Sequence, residues 1–140
     1  MIKYVAQEDP MGCGVACVAN QLGISYADAL ELFDEPERAS MIGYRCKYVV
    51  DALRRGGIEA RLHHIKKVDR APSAKRCHLL ADGAIVLLEV SERYPYQHYL
   101  LKVEAGWCDP WINMNDCRDI SQAKAGIRTD LPGLPYYAIY

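Results

Sequence analysis

The sequence predicts an α+β fold, a helical N-terminal half packed on an antiparallel sheet from the C-terminal half. Two observations carry this reading. Up to about residue 57 the apolar residues recur at helical spacing, and beyond it they alternate or run together as strands do. Helices first and strands later mean segregated elements, not the alternation of a parallel α/β sheet. The chain has 140 residues, 51% apolar and 25% charged, enough for one domain with a real core. No internal repeat, low-complexity run or Ser/Gly linker divides it, so a single domain over 1–140 is expected.

The elements follow in order. Val15, Val18, Ala19 and Leu22 share one face of a helix expected from about Cys13 to Leu22, and Gly23 ends it. Ser25 caps a second helix with Asp28 three residues on, a capping-box-like pair, and Tyr26, Ala29, Leu30 and Phe33 form its apolar face. A third helix carries Cys46, Val49, Val50 and Leu53 and stops at Gly56-Gly57. Ile58, Ala60 and Leu62 alternate with Glu59 and Arg61, which predicts a half-buried strand. Ala74 to Ala81 reads as a short helix. The apolar run Ala84 to Val90 suits a central strand, and His98 to Val103 forms another. Glu104-Ala105-Gly106 turns into Trp107-Cys108-Asp109, and Pro110 limits that strand. Tyr136 to Tyr140 predicts a terminal strand.

Composition excludes some functions. With a net charge of −1, nothing argues for a nucleic-acid or anionic-membrane surface. Arg54-Arg55 and Lys66-Lys67 are short, solvated clusters. No stretch approaches the roughly 18 consecutive apolar residues of a membrane span, and the acidic turn at Glu8-Asp9 is unlike a signal peptide. A cytoplasmic protein is expected, and with it reduced thiols at the six cysteines.

The most informative segment is Gln7-Glu8-Asp9-Pro10-Met11-Gly12-Cys13-Gly14. It puts a glycine-flanked thiol at a helix N-terminus, where free N–H groups and the macrodipole favour an anion. A thiolate is the form that attacks carbonyl carbon. Thiol hydrolysis also needs an imidazole, a group that orients it, and donors for the oxyanion. His98 opens a strand and is the candidate base. Asp109 lies across the expected hairpin, and Asn113 and Asn115 are fallback orienting groups. Gln7 and the Cys13 N–H are the candidate oxyanion donors.

Gln-x5-Cys-Gly-x-Ala, followed by His-Tyr-Leu-Leu and then Asp-Pro, resembles the bacteriocin-processing cysteine peptidases. These are papain-like domains that cleave double-glycine leader peptides and often precede peptide-exporting transporters. The resemblance covers Gln7 to Pro110 and implies a papain-like fold. It implies Cys13 as nucleophile, His98 as base, Asp109 as orienting group and Gln7 in the oxyanion hole, with no cofactor and no metal. It also implies a peptide or protein substrate with small residues such as Gly-Gly before the cut. Two features depart from it: Gly12 stands where the family usually has aspartate, and the interval from His98 to Asp109 is shorter than usual.

Other readings of the same residues are weaker. Those two departures also suit a catalytically degenerate peptide-binding module, and deamidation or acyl transfer would use the same side chains. Cys17, one turn after Cys13, reads as structural. His63, His64, Cys77 and His78 lack the tight paired spacing of a zinc site. Trp107 and Trp111 flank Asp109 as core or cleft wall, and the C-terminal tyrosines pack a strand.

Overall fold

The helical periodicities at the front of the chain become three helices in the computed structural model, which describes residues 3–70 and 80–140. Helix α1 is Cys13–Leu22, α2 is Tyr26–Leu30 and α3 is Cys46–Arg55. Gly23 closes α1 in the left-handed conformation, φ 69°, and its N–H reaches the Ala19 carbonyl, a geometry that costs glycine least. The Ser25 hydroxyl accepts the Asp28 N–H at 3.0 Å and caps α2 as expected. Helix α2 is shorter than its apolar pattern. Leu32 and Phe33 continue in tighter turns onto Ala29 and Leu30, and Phe33 is still buried.

Six strands follow: β1 Leu62–His64, β2 Ile85–Leu88, β3 Tyr99–Val103, β4 Gly106–Asp109, β5 Gly126–Arg128 and β6 Pro135–Ile139. They form one sheet in the order β1-β6-β2-β3-β4-β5, and every neighbouring pair is antiparallel. The strand expected from Ile58 starts later. The Ile58 N–H is spent on the Leu53 carbonyl as the chain leaves α3, and pairing begins where Arg61 exchanges hydrogen bonds with Tyr140. Strand β5 was not foreseen, since three residues carry no readable alternation. The helix expected over Ala74 to Ala81 falls almost wholly outside the described residues.

The sheet is covered on both faces. Ile85, Tyr99, Leu101, Cys108 and Ile139 pack toward the helices, against Val15, Val18 and Val49. Val86, Leu88, Leu100, Trp107 and Ala138 pack on the opposite side with Ile65 and Tyr94. Two-sided burial explains the unbroken apolar run in β2. Val15, Val18 and Val49 are fully buried, each worth about 1.5–3 kcal/mol relative to exposure. The N-terminal turn of α1 lies close on β3. A Cβ at Gly14 would meet Val49 Cγ2 at 3.2 Å and the Tyr99 ring at 3.3 Å. The absent side chain lets Cys13 settle against the start of β3, where His98 stands.

Candidate active site

The hairpin of β3 and β4 sets the geometry of the imidazole. Its register pairs Leu101 with Cys108, and continuing it sets Asp109 opposite Leu100. His98, two residues before Leu100, is then the diagonal neighbour of Asp109 on the same face. The two side chains meet, with His98 Nε2 2.9 Å from Asp109 Oδ1. Tyr94 stacks on the His98 ring at 4.3 Å between centroids and 6° between planes.

Asp109 is completely buried and well supplied with donors. Its Oδ1 also accepts the Trp111 N–H at 3.0 Å. Its Oδ2 accepts Arg128 Nε at 2.8 Å and the Tyr94 hydroxyl at 3.5 Å. Burial alone would raise the carboxyl pKa, but His98, Arg128 and the Trp111 N–H outweigh it and hold Asp109 at about 2. Burial likewise pushes His98 down. Hydrogen bonds to Asp109 and Cys13 overcome this and raise its pKa to about 9, so the ring is an imidazolium at neutral pH.

Cys13 is the first residue of α1 and is 3% exposed. Its thiol donates to the Gln97 carbonyl at 3.6 Å and lies close enough to His98 to help raise the pKa of that ring. With Nε2 turned to Asp109, Nδ1 is the ring nitrogen left for the sulfur. Gly12 before it has no room for a side chain, because a Cβ there would lie 2.0 Å from the Tyr26 hydroxyl. That hydroxyl donates to Asp9 Oδ2 at 2.8 Å. The group that fills the space beside Gly12 is thus the Tyr26 hydroxyl, held by Asp9.

Gln7 is tied in place by its own N–H, which donates to the Pro110 carbonyl at 3.1 Å beyond β4. The side chain is 3% exposed. Its Nε2 donates to the Asp9 and Pro10 carbonyls, both at 3.1 Å, while Oε1 is buried without a partner. The amide N–H groups are thus engaged by the backbone that leads to Cys13.

Gln7, Cys13 and His98 line one cleft of about 210 Å³ whose walls include Met11, Trp111 and Met114. Among the described residues, the polar or charged side chains buried in the protein are Gln7, His98 and Asp109. These are the residues the sequence singled out with Cys13. A polar group is costly to bury unless it is bonded; Gln7 and His98 face the cleft, and Asp109 holds His98 from beneath it.

The other candidates lie elsewhere. Asn113 bridges Gln122 and Lys124 in its own loop, and Asn115 touches Arg118, so Asp109 is the group that meets His98. Cys17 is buried, and burial pushes its thiol pKa well up, which suits a packing role. Cys13, Cys17, Cys46, Cys108 and Cys117 are free thiols. His63 stacks on Tyr140, and His64 Nε2 lies 3.0 Å from Arg70. Cys77 and His78 fall outside the described residues, among which no group of three or more His, Cys, Asp or Glu is gathered as for a metal. Trp107 belongs to the core and Trp111 to the cleft wall.

Sequence reading missed Tyr94 and Arg128. Tyr94 is one of ten tyrosines, and its only local signal was a place four residues before His98. Arg128 sits on the three-residue strand β5, whose Gly126 pairs with Asp109. Nothing in its neighbourhood announced that pairing. No helix among the described residues is long and apolar enough to cross a membrane. No protein-family model, curated protein or solved structure matches the chain.

Proposed function

We propose that the chain is a small papain-like thiol peptidase. The observation that carries this reading is Cys13 and His98 together on one cleft, with Asp109 bonded to His98 Nε2 at 2.9 Å from beneath it. In the proposed reaction Cys13 attacks a peptide carbonyl as the thiolate. His98 then passes its proton to the leaving amine, and water later releases the acyl group. Asp109 fixes the ring through Nε2, and Tyr94 limits its tilt by stacking. The oxyanion takes the Cys13 backbone N–H, joined by Gln7 if its amide exchanges a backbone carbonyl for the substrate. By resemblance, small residues such as Gly-Gly precede the cut, and a reducing, cytoplasmic setting suits the nucleophile.

The test is digestion of a peptide library by full-length protein, with product masses read by mass spectrometry. Wild type is expected to cut, and Cys13→Ala to lose at least about 10³-fold in rate with an unchanged circular-dichroism spectrum. Full turnover by that variant overturns the mechanism. The engaged Gln7 amide favours a second reading, a degenerate module that holds peptides without cutting them. Iodoacetamide labelling at pH 5 separates the two, because an activated thiolate reacts there and an ordinary thiol does not.

A further inference from the structure

Arg118 lies on the loop after β4 and lines the cleft that holds Cys13 and His98. Among the described residues its guanidinium makes one long contact, 3.5 Å to Asn115 Oδ1, and no carboxylate pairs with it. Its nearest acidic neighbour on the C-terminal side, Asp119, is folded onto Ser121. No Asp or Glu is among the described residues that line the cleft. Asp109 lies beneath the surface, spent on His98, Arg128 and the Trp111 N–H.

A second, independent observation points to a ligand. Trp111 is 6% exposed, lines the same cleft, and its indole Nε1–H has no acceptor among the described residues. A buried donor left unsatisfied is destabilising unless a ligand or water answers it. Gln7 Oε1 and Gln97 Oε1, on residues lining this cleft, are buried acceptors without donors among the described residues. A peptide segment supplies what all of them lack: N–H groups for the two glutamine oxygens, and oxygen acceptors for the indole and the guanidinium.

The loop also has a side. It begins at Trp111, whose backbone N–H is bonded to the carboxylate that holds His98. In thiol hydrolysis the leaving amine must reach His98 for its proton. The peptide that continues from that amine therefore runs toward the loop carrying Arg118. We infer that Arg118 is a specificity-determining residue which receives a carboxylate of the substrate on the C-terminal side of the cut. This rests on the proposed peptidase reading. An acidic side chain and a free chain end present the same group to the same fork of N–H donors.

The experiment digests two degenerate peptide libraries, one with free C-termini and one amidated, using full-length wild type, Arg118→Gln and Arg118→Lys. Wild type is expected to favour Asp, Glu or the chain end on the C-terminal side of the cut. Arg118→Gln is expected to lose about tenfold in kcat/KM on those sequences and to keep its rate on neutral ones, with partial recovery in Arg118→Lys. Preference that survives amidation assigns the carboxylate to a side chain, and preference abolished by it assigns the chain end. An acidic preference that is absent, lies on the N-terminal side, or persists in Arg118→Gln overturns the inference while leaving the peptidase reading intact. Failure of wild type to cut any peptide overturns that reading instead. The inference is then decided by fluorescence anisotropy of labelled Asp-containing and Asn-containing peptides on the Cys13→Ala chain. Preference for the Asp peptide that disappears on adding Arg118→Gln sustains it, and equal binding refutes it.

Discussion

Replacing Asp109 by Asn isolates the force that keeps His98 charged. Burial opposes the imidazolium, yet the ring pKa stands at about 9 against an ordinary 6.5. Asp109 and Cys13 must therefore overcome the burial penalty and supply the visible rise as well. Asp109 outweighs Cys13 both as a hydrogen-bond partner and as a charge. Asp109 is thus the larger source of that rise, on the order of one pH unit or more. The asparagine keeps the volume and an oxygen but removes the charge. A ¹⁵N-edited titration of the imidazoles, assigned with a His98→Gln variant, is expected to show His98 moving down by more than one unit. Stability carries the same signature. A raised histidine pKa stabilises the fold fully below 6.5, and the contribution is lost as pH rises through 9. The gap in unfolding free energy between wild type and Asp109→Asn is therefore widest between about pH 4 and 6.5 and narrows toward pH 9. An unchanged His98 titration in the variant would refute the account of the pair given above.

Two further perturbations test the surroundings. Arg128→Gln leaves the buried Asp109 carboxylate without the guanidinium at 2.8 Å. A loss of about 3 kcal/mol in urea unfolding is expected, together with an acid transition moved to higher pH as the Asp109 pKa climbs from about 2 toward 3.8; a loss under about 1 kcal/mol counts against the pairing. Gly12→Ala drives a methyl against the Tyr26 hydroxyl and should cost about 2–3 kcal/mol by displacing it from Asp9. Adding Tyr26→Phe should recover part of that loss in a double-mutant cycle, and strict additivity would show that the collision is not the cause.

What the sequence displayed and what it hid divide along physical lines. Helices α1 and α3 were legible because each has a complete apolar face and a glycine stop. The cleft residues were legible because a cysteine beside glycines, and a histidine and an aspartate on either side of a tight turn, are local patterns. The start of β1 was not, because the closure of α3 consumes backbone groups that alternation alone assigns to a strand. Arg128 was hidden for a different reason. Its partner is brought to it by the pairing of β4 with β5, a register that three residues cannot encode by themselves. Tyr94 likewise reaches His98 through a loop of residues whose side chains show no period.

The pattern of burial argues that the site is more than packing. Completely burying an ion pair is a poor way to stabilise a fold, since apolar residues of the same shape commonly do as well or better. Yet Asp109 is at 0% exposure with an imidazolium, a guanidinium, a backbone N–H and a phenol all turned toward it. The hairpin and its diagonal register set that group beside His98, while the side-chain-free Gly14 lets the first turn of α1 approach Tyr99, the next residue along. A structural carboxylate would need one partner and could lie anywhere in the core. This one is bonded to the imidazole that shares the cleft with a thiol at a helix N-terminus, and on the proposed reading the ring nitrogen it leaves free is the one that serves the thiol. On the proposed reading that economy of position serves proton transfer, and Asp109→Asn is expected to act first on the His98 ring.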